Sequence, residues 1–297
     1  MNAVDDITET LELAARHGLT LAPNSIDIND MGLDYRVAIV ETLYGESWVL
    51  RIPRRPELAN GAKVESKVLD LVSKALSFRV PQWRIHSPEL IAYPLLPGSP
   101  GLTMEEGRPV FHVEMGSEDY ARDMGKLLSE LHSIPIEVAA GTGVPSRTPQ
   151  ETRMHWKSRI SRVSHEFEIS PSLLDRWDNW INDDSFWPDF SVLTHGEIYA
   201  AHTLVDGNRI RSVLDWTTAE IGDPVRDLSL FHMSAPREAF DIMTTEYQKR
   251  GGRAWPRLAD HCQEYMAASA IGYAEFALET GDPEHTVAAQ AGLRADG

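Results

Sequence analysis

The sequence predicts an α+β protein of two lobes, a small antiparallel β-rich N-terminal lobe and a larger helical C-terminal lobe, and three observations carry that prediction. Apolar residues alternate with polar ones between Ile26 and Ile52, with turn residues breaking the run twice. The stretch YPLLPGSPG then packs three prolines and two glycines into a connector read as a hinge. Beyond it the periodicity is mostly helical, apart from short strands between 192 and 216. The boundary is placed at the connector, giving lobes of residues 1–96 and 97–297.

The opening DDITETLELAARHG has apolar residues at Ile7, Leu11, Leu13 and Ala14, acids in its first turn and Gly18 after it. This pattern predicts an amphipathic helix with ordinary start and stop signals. Ile26 and Ile28, then Val37 and Ile39, then Trp48, Leu50 and Ile52 predict a three-stranded meander. Its turns are expected at residues 29–32 and 44–47. Val64, Val68, Leu69, Val72 and Leu76 predict a helix over 59–77, followed by short strands at Trp83–His86 and Leu90–Pro94. In the second lobe, Ser117 is expected to cap a helix through Tyr120, Met124, Leu127, Leu128 and Leu131. Ser170-Pro171 starts another through Trp177, Trp180 and Ile181. Helices are also predicted over 237–250 and 256–279.

With 297 residues the chain can bury a sizeable core in one or two domains. It is 42% apolar and 25% charged, and no apolar run approaches the roughly 20 residues of a membrane span. The acidic start has no apolar h-region and does not resemble a secretory signal. Cys262 is the only cysteine, which excludes an intrachain disulfide and a thiolate zinc cluster. A cytoplasmic location is expected. A formal net charge of −17 makes nucleic acid an unsuitable partner, because phosphate backbones select basic surfaces. The charge serves solubility, and the same acidic field attracts cationic substrates.

The chemistry concentrates in residues 194–227, THGEIYAAHTLVDGNRIRSVLDWTTAEIGDPVRD. Glu197, His202 five residues on, and Asp215 at the end of the apolar strand Ile210-Val213-Leu214 have the spacing of a phosphotransfer site. In such a site one carboxylate meets the acceptor hydroxyl and two side chains hold magnesium. A basic residue on the third strand of the small lobe should touch the phosphates and pair with a helix acid. Arg51 in WVLRIPRR and Glu65 on the next helix occupy those places.

These segments, with LIAYPLLPG and GGRAWPRLADH, resemble the aminoglycoside and macrolide phosphotransferases, whose loop reads HGDxxxxN or HGDxxxxH followed by IDW. The likeness runs over nearly the whole chain. His202, Trp216 after Asp215 and GGRAWPRLA are most similar to the macrolide 2′-phosphotransferases. The resemblance implies a protein-kinase-like fold and transfer of the γ-phosphate of GTP or ATP, with Mg2+, to the 2′-hydroxyl on the amino sugar of a macrolide antibiotic. A monomer is expected.

Carried over by residue, Glu197 stands where the family has its catalytic Asp, and its carboxylate reaches about one methylene further. His202 and Asp215 would be the magnesium ligands, although magnesium prefers oxygen donors. Arg51 replaces the usual lysine, a swap that keeps the charge and can grip two oxygens. His195 would organise the loop, and Asp223 and Asp227 would fix backbone around it. The turn from Asn29 to Tyr35 would cover the phosphates. Backbone groups of Ala92, Tyr93 and Leu95 would meet the purine edge, with Ile52, Leu50 and Leu214 sandwiching the base. For the lactone ring an open apolar groove is needed; its candidates are Met233, Tyr273, Phe276 and Trp216, with Glu275 facing the dimethylamino cation.

Three other readings stay open on the residues alone. A zinc hydrolase built on His195, Glu197 and His202 fails the HExxH spacing. A kinase of an aminoglycoside or of a small cellular alcohol would use the same loop. A nucleotide-binding module that has lost its base would explain Glu197 differently, but decay would rarely spare Arg51, Glu65, His202 and Asp215 together.

Overall fold

The computed structural model describes residues 3–29, 34–55 and 57–294. The chain opens with α1 (Ala3–Arg16) and the antiparallel strands β1 (Asp27–Asn29), β2 (Tyr35–Glu41) and β3 (Ser47–Pro53). Helix α2 (Leu58–Ala75) follows, then β4 (Ile85–His86) and β5 (Ile91–Pro94). The strands form one sheet in the order β1-β2-β3-β5-β4. The meander, the helix after it and the two short strands therefore lie where the periodicity places them. The first turn of the meander and its cover over the phosphates fall on residues 30–33, outside the described residues.

Side-chain alternation gives this sheet two different faces. On one, Ala38, Val40, Leu50 and Ala92 pack with Leu13 and Ala14 of α1, and Trp48 and Ile52 flank them. On the other, Tyr35, Val49, Ile91 and Tyr93 meet Ala62 of α2, with Val37 beside them. Val37 lies opposite Arg51 in the register, and Ile39 opposite Val49. Arg51 therefore projects on the face toward α2.

The connector does more than link lobes. It forms β6 (Ser99–Pro100), which pairs with a strand of the second lobe, β10 (Thr203–Asp206). The hairpin β7 (Leu102–Glu105) and β8 (Arg108–Phe111) follows, a feature the sequence reading did not anticipate. The helices α3 (Glu118–His132), α4 (Ile136–Ala140), α5 (Pro149–Glu166) and α6 (Pro171–Asn182) come next. The caps are as read: the Ser117 and Ser170 hydroxyls accept from the Tyr120 and Leu173 N–H groups.

Strands β9 (Val192–Thr194), β10, β11 (Arg209–Val213) and β12 (Glu220–Gly222) build two small antiparallel ladders around the loop that carries Glu197. The chain continues through α7 (Val225–Ser234), α8 (Arg237–Lys249), α9 (Leu258–Ala267), α10 (Ser269–Thr280) and α11 (Pro283–Arg294). The single helix expected over 256–279 is instead two, α9 and α10, parted at Ala268. Each half buries its face in a different core: Leu258 and Cys262 join the central cluster, Ile271, Ala274 and Ala277 the outer one formed with α5, α6 and α11.

The central core includes Val68, Leu69, Val72 and Leu76 of α2 together with Met124, Leu127, Leu128, Trp216, Phe231 and Tyr247 of the second lobe. One apolar cluster thus ties α2, and with it Glu65, to the helices below. Helices α3 and α8 cross closely at Gly125, where a Cβ would lie 2.4 Å from the Met243 carbonyl oxygen. Only glycine fits that crossing. Among the described residues, no helix is long and apolar enough to cross a membrane.

Candidate active site

Arg51 and Glu65 form a buried pair, Nη1 to Oε1 at 2.6 Å, with the two residues 9% and 3% exposed. The guanidinium lies 4.2 Å from the Tyr35 ring centroid, so Tyr35, which the sequence reading missed, supports it by cation–π contact. Burial raises the Glu65 carboxyl pKa, while the charge of Arg51 opposes that rise. The second carboxylate oxygen of Glu65 is buried without a hydrogen-bond partner. Arg51 is consequently held by one oxygen only and keeps donors for an incoming anion.

The loop between β9 and β10 is held from behind. Asp227, fully buried on α7, accepts from the His195 N–H at 2.9 Å and the Gly196 N–H at 2.6 Å. It also accepts from His132 Nε2 at 3.0 Å, a residue with no signal in the sequence pattern. Burial would raise the Asp227 pKa, but these hydrogen bonds and the neighbouring imidazoles outweigh it, and the group lies below the ordinary carboxyl range. Gly196 has φ +94°, and a Cβ there would come within 2.7 Å of the Thr218 carbonyl oxygen and Arg226 Nη2. The HGE motif needs its glycine for both reasons.

His195 is fully buried, and its Nε2 donates to the Leu214 carbonyl at 2.8 Å, leaving Nδ1 to accept from the Glu197 N–H at 3.3 Å. Burial holds its pKa below the usual imidazole value. It is thus a neutral strut between the loop and the strand end, the organising part expected for it. Asp223 has a parallel part: it accepts from the Val225 N–H at 2.9 Å and from His261 Nε2 at 2.8 Å, fastening the start of α7.

Glu197 is exposed, and among the described residues its carboxylate takes no hydrogen bond or ion pair. Its backbone carbonyl accepts from His202 Nδ1 at 2.7 Å. A carbonyl can only accept, so Nδ1 carries a proton, and in the neutral imidazole Nε2 then presents a lone pair. That nitrogen faces Asp215 Oδ2 at 3.8 Å. Asp215 leaves β11 with φ +59°, a conformation uncommon for a non-glycine residue and frequent at functional sites. Its other oxygen accepts from the Thr217 hydroxyl at 2.5 Å. Burial works to raise its pKa, but the Thr217 bond and the charge of Arg51 outweigh it, and the carboxyl lies below its ordinary range. His202 Nε2 and Asp215 Oδ2 would be the side chains to hold a divalent cation here, which would supply charge neutralisation for bound phosphates.

Several expectations need correction. Leu50 and Ile52 face α1, not Arg51, because they sit one residue out of phase with it along β3. The side chains on the Arg51 face at those strands are Val37, Ile39 and Val49. Ala92 and Leu95 have backbone groups already engaged: the Ala92 carbonyl accepts from the Arg84 N–H at 2.9 Å, and the Leu95 N–H donates to the Ser47 carbonyl at 2.8 Å. The Tyr93 side chain is buried toward α2. By the alternation of the ladder, it is the Pro94 carbonyl that turns to the open side of β5. Leu214 stays at the strand end, half-buried, holding His202 and His195 through its backbone.

Glu275 is not free to meet a cation, since Arg159 at 2.7 Å and Arg162 both grip it. Tyr273 donates to or accepts from His285 Nδ1 at 3.0 Å, and Phe276 packs on the same imidazole, so both belong to the contact with α11. Trp216 is 1% exposed and packs on the His195 ring, which makes it core rather than groove. Met233 is the exception, 60% exposed two turns beyond Asp227 on α7.

Comparison with known proteins agrees with this geometry. The model of the family described as "Phosphotransferase enzyme family" matches residues 27–261. Macrolide 2′-phosphotransferase MphH from Brachybacterium faecium, solved as the apoenzyme, is 48% identical over 96% of this chain and 97% of that one, with a TM-score of 0.93. A macrolide 2′-phosphotransferase of type I is 39% identical over 99% and 98%, with a TM-score of 0.90. The uncharacterized protein YcbJ of Bacillus subtilis (strain 168) is 34% identical over 96% of this chain and 95% of its own length. The chain belongs to the phosphotransferase enzyme family and has its kinase-like α+β fold.

Proposed function

We propose that this protein phosphorylates the 2′-hydroxyl on the amino sugar of macrolide antibiotics, using GTP or ATP and Mg2+. The observation that carries the phosphotransfer is the His202–Asp215 gap: a lone pair and a carboxylate oxygen 3.8 Å apart beside an unpaired Glu197 carboxylate. The full-length similarity to two macrolide 2′-phosphotransferases at 39–48% identity supports the choice of acceptor. A cationic amino sugar also suits a chain of net charge −17.

In this reading Arg51 binds and neutralises the terminal phosphates with the donors that Glu65 leaves free. Val37, Ile39 and Val49 cover the purine, and the Pro94 carbonyl meets its edge. His202 and Asp215 hold magnesium, which when bound neutralises charge on the transferred phosphoryl group. Glu197 orients the acceptor hydroxyl and takes its proton as the oxygen attacks phosphorus in line and the nucleoside diphosphate leaves. The extra methylene of glutamate is accommodated by the loop, whose backbone Asp227, His195 and Thr218 hold. Met233 contributes to the apolar surface for the lactone.

Incubation with GTP or ATP, Mg2+ and erythromycin-like macrolides, followed by mass spectrometry, tests the reading. One added phosphate on the macrolide is expected. Transfer to an aminoglycoside or small alcohol instead replaces the acceptor, and nucleotide binding without any transfer refutes catalysis.

A further inference from the structure

The catalytic groups do not use a second concave site, a cavity of about 310 Å3 behind the junction of the two lobes. Its walls come from the segment leaving α2, from the connector, from α3 and from β11. Four of its lining residues are cations, Arg79, Lys126, Arg209 and Arg211, against a single lining acid, Asp123. That concentration stands out in a chain of net charge −17. A surface with so large an acidic excess gathers cations in one hollow only against its own overall composition.

Three of the four cations have acidic partners, Arg209 with Asp119 as well as Asp123 near it, and the fourth has none among the described residues. Asp123 grips Arg209 through two bonds of 2.7 Å and caps the Ile210 N–H at 3.0 Å, so its capacity is spent. Arg211 pairs at 2.9 Å with Asp206, which is exposed at the rim. Lys126 is 3.8 Å from Glu130, whose carboxylate already takes the Ser77 N–H and hydroxyl. Arg79 has no ion-pair or side-chain hydrogen-bond partner among the described residues. Its backbone is nonetheless firmly placed, donating to the Arg211 carbonyl at 3.0 Å and accepting from the Val213 N–H at 2.8 Å. Its guanidinium is exposed and keeps its donors for an incoming anion.

Phe78 supplies an apolar wall, buried and with the Lys126 ammonium 5.3 Å from its ring centroid. We infer that this hollow binds a small, multiply charged phosphorylated compound. Arg79, with the donors that Arg211 and Lys126 keep beside their acidic partners, matches phosphate oxygens, and a cavity near 310 Å3 lies at the small end of ligand sites, about 300 Å3 and upward. The bound anion reinforces the existing backbone link between Arg79, which follows α2 and its Glu65, and β11, which runs into Asp215.

The test is a thermal melt of the full chain without nucleotide or Mg2+, titrated with pyrophosphate or glycerol 3-phosphate, with potassium chloride at equal ionic strength as control. The midpoint is expected to rise with either phosphate well beyond the salt control. Arg79→Glu and, independently, Arg211→Gln should weaken the apparent affinity at least about tenfold. Arg237→Glu, an equal charge change on an arginine 90% exposed on α8, should leave it unaltered. A rise no larger than that with chloride overturns the inference. So does a rise that survives both Arg79→Glu and Arg211→Gln, because the phosphate then sits elsewhere, in the Arg51 cleft.

Discussion

His202 donates its Nδ1 proton to the carbonyl of Glu197 at 2.7 Å, and so turns Nε2, the lone-pair nitrogen of the neutral ring, toward Asp215 Oδ2. The residue proposed to meet the acceptor thus also fixes, through its backbone, the tautomer of the residue proposed to hold the metal. This orientation makes a histidine usable where an oxygen ligand would be the commoner choice for magnesium.

Removing either ligand should cost catalysis and metal dependence together. Asp215→Asn is expected to lower kcat by roughly 100-fold or more, the scale of losing one preorganised charge at a transition state. His202→Ala should raise the Mg2+ concentration for half-maximal rate, by about 10–100-fold. Steady-state rates over a Mg2+ series check both. A His202→Ala protein with an unchanged Mg2+ profile would remove that residue from the metal site.

Glu197→Ala should abolish transfer while leaving nucleotide affinity nearly intact, because the residue is exposed and its carboxylate pairs with nothing among the described residues. Kinetics and nucleotide titration on the same preparation separate the two effects. A near-normal rate would show that another group receives the hydroxyl proton. Glu197→Asp is the sharper companion: shortening the side chain by about 1 Å should cost up to roughly 100-fold if the loop backbone is set for glutamate.

The two faces of β3 predict opposite kinetic signatures. Val49→Ala or Ile39→Ala should raise the nucleotide KM several-fold with little change in thermal midpoint for the exposed Ile39. Ile52→Ala should instead lower stability by about 2 kcal/mol, the low end for such truncations, with an unaltered nucleotide KM. An Ile52→Ala effect on KM alone would mean that the base lies on the α1 side of the sheet.

Asp227 should be visible in the pH dependence of stability. Its carboxyl pKa is depressed in the fold, so its stabilisation is fully present above the unfolded value of about 3.9 and is lost as pH falls below that through the folded value. Asp227→Asn should therefore cost about 3 kcal/mol at pH 7, on the scale of breaking a buried pair. Urea unfolding over a pH series from 7 downward should show the difference between wild type and variant narrowing only below about pH 3.9. A constant difference across the series would deny Asp227 its charged role.

Much of the site was legible because its parts are local. The HGE and LDW segments put Glu197, His202 and Asp215 at fixed separations, and one loop with one strand end is enough to bring them together. The Arg51–Glu65 pair was legible too, since a strand and the next helix have few ways to meet. What the pattern misassigned depended on phase or on distant partners. Leu50 and Ile52 were placed on the base because they neighbour Arg51 in the chain, yet adjacent residues of a strand point to opposite faces. Glu275 looked available for a cation until Arg159 and Arg162, more than a hundred positions earlier, took both of its oxygens.

The sequence by itself determined most element types, the order of sheet before helices, and the candidates proposed for phosphotransfer, because periodicity and short-range spacing are properties of the chain alone. Only the tertiary structure decided which face of the sheet carries Arg51, how the rings of His195 and His202 are hydrogen-bonded, and where the helix expected over 256–279 breaks. Those outcomes rest on packing against α1, on the buried Asp227 reaching back to His195, and on two separate cores claiming α9 and α10. Each is a contact between residues far apart in the chain. The tautomer of His202 is the smallest of these decisions, one hydrogen bond to one carbonyl, and the proposed metal site depends on it.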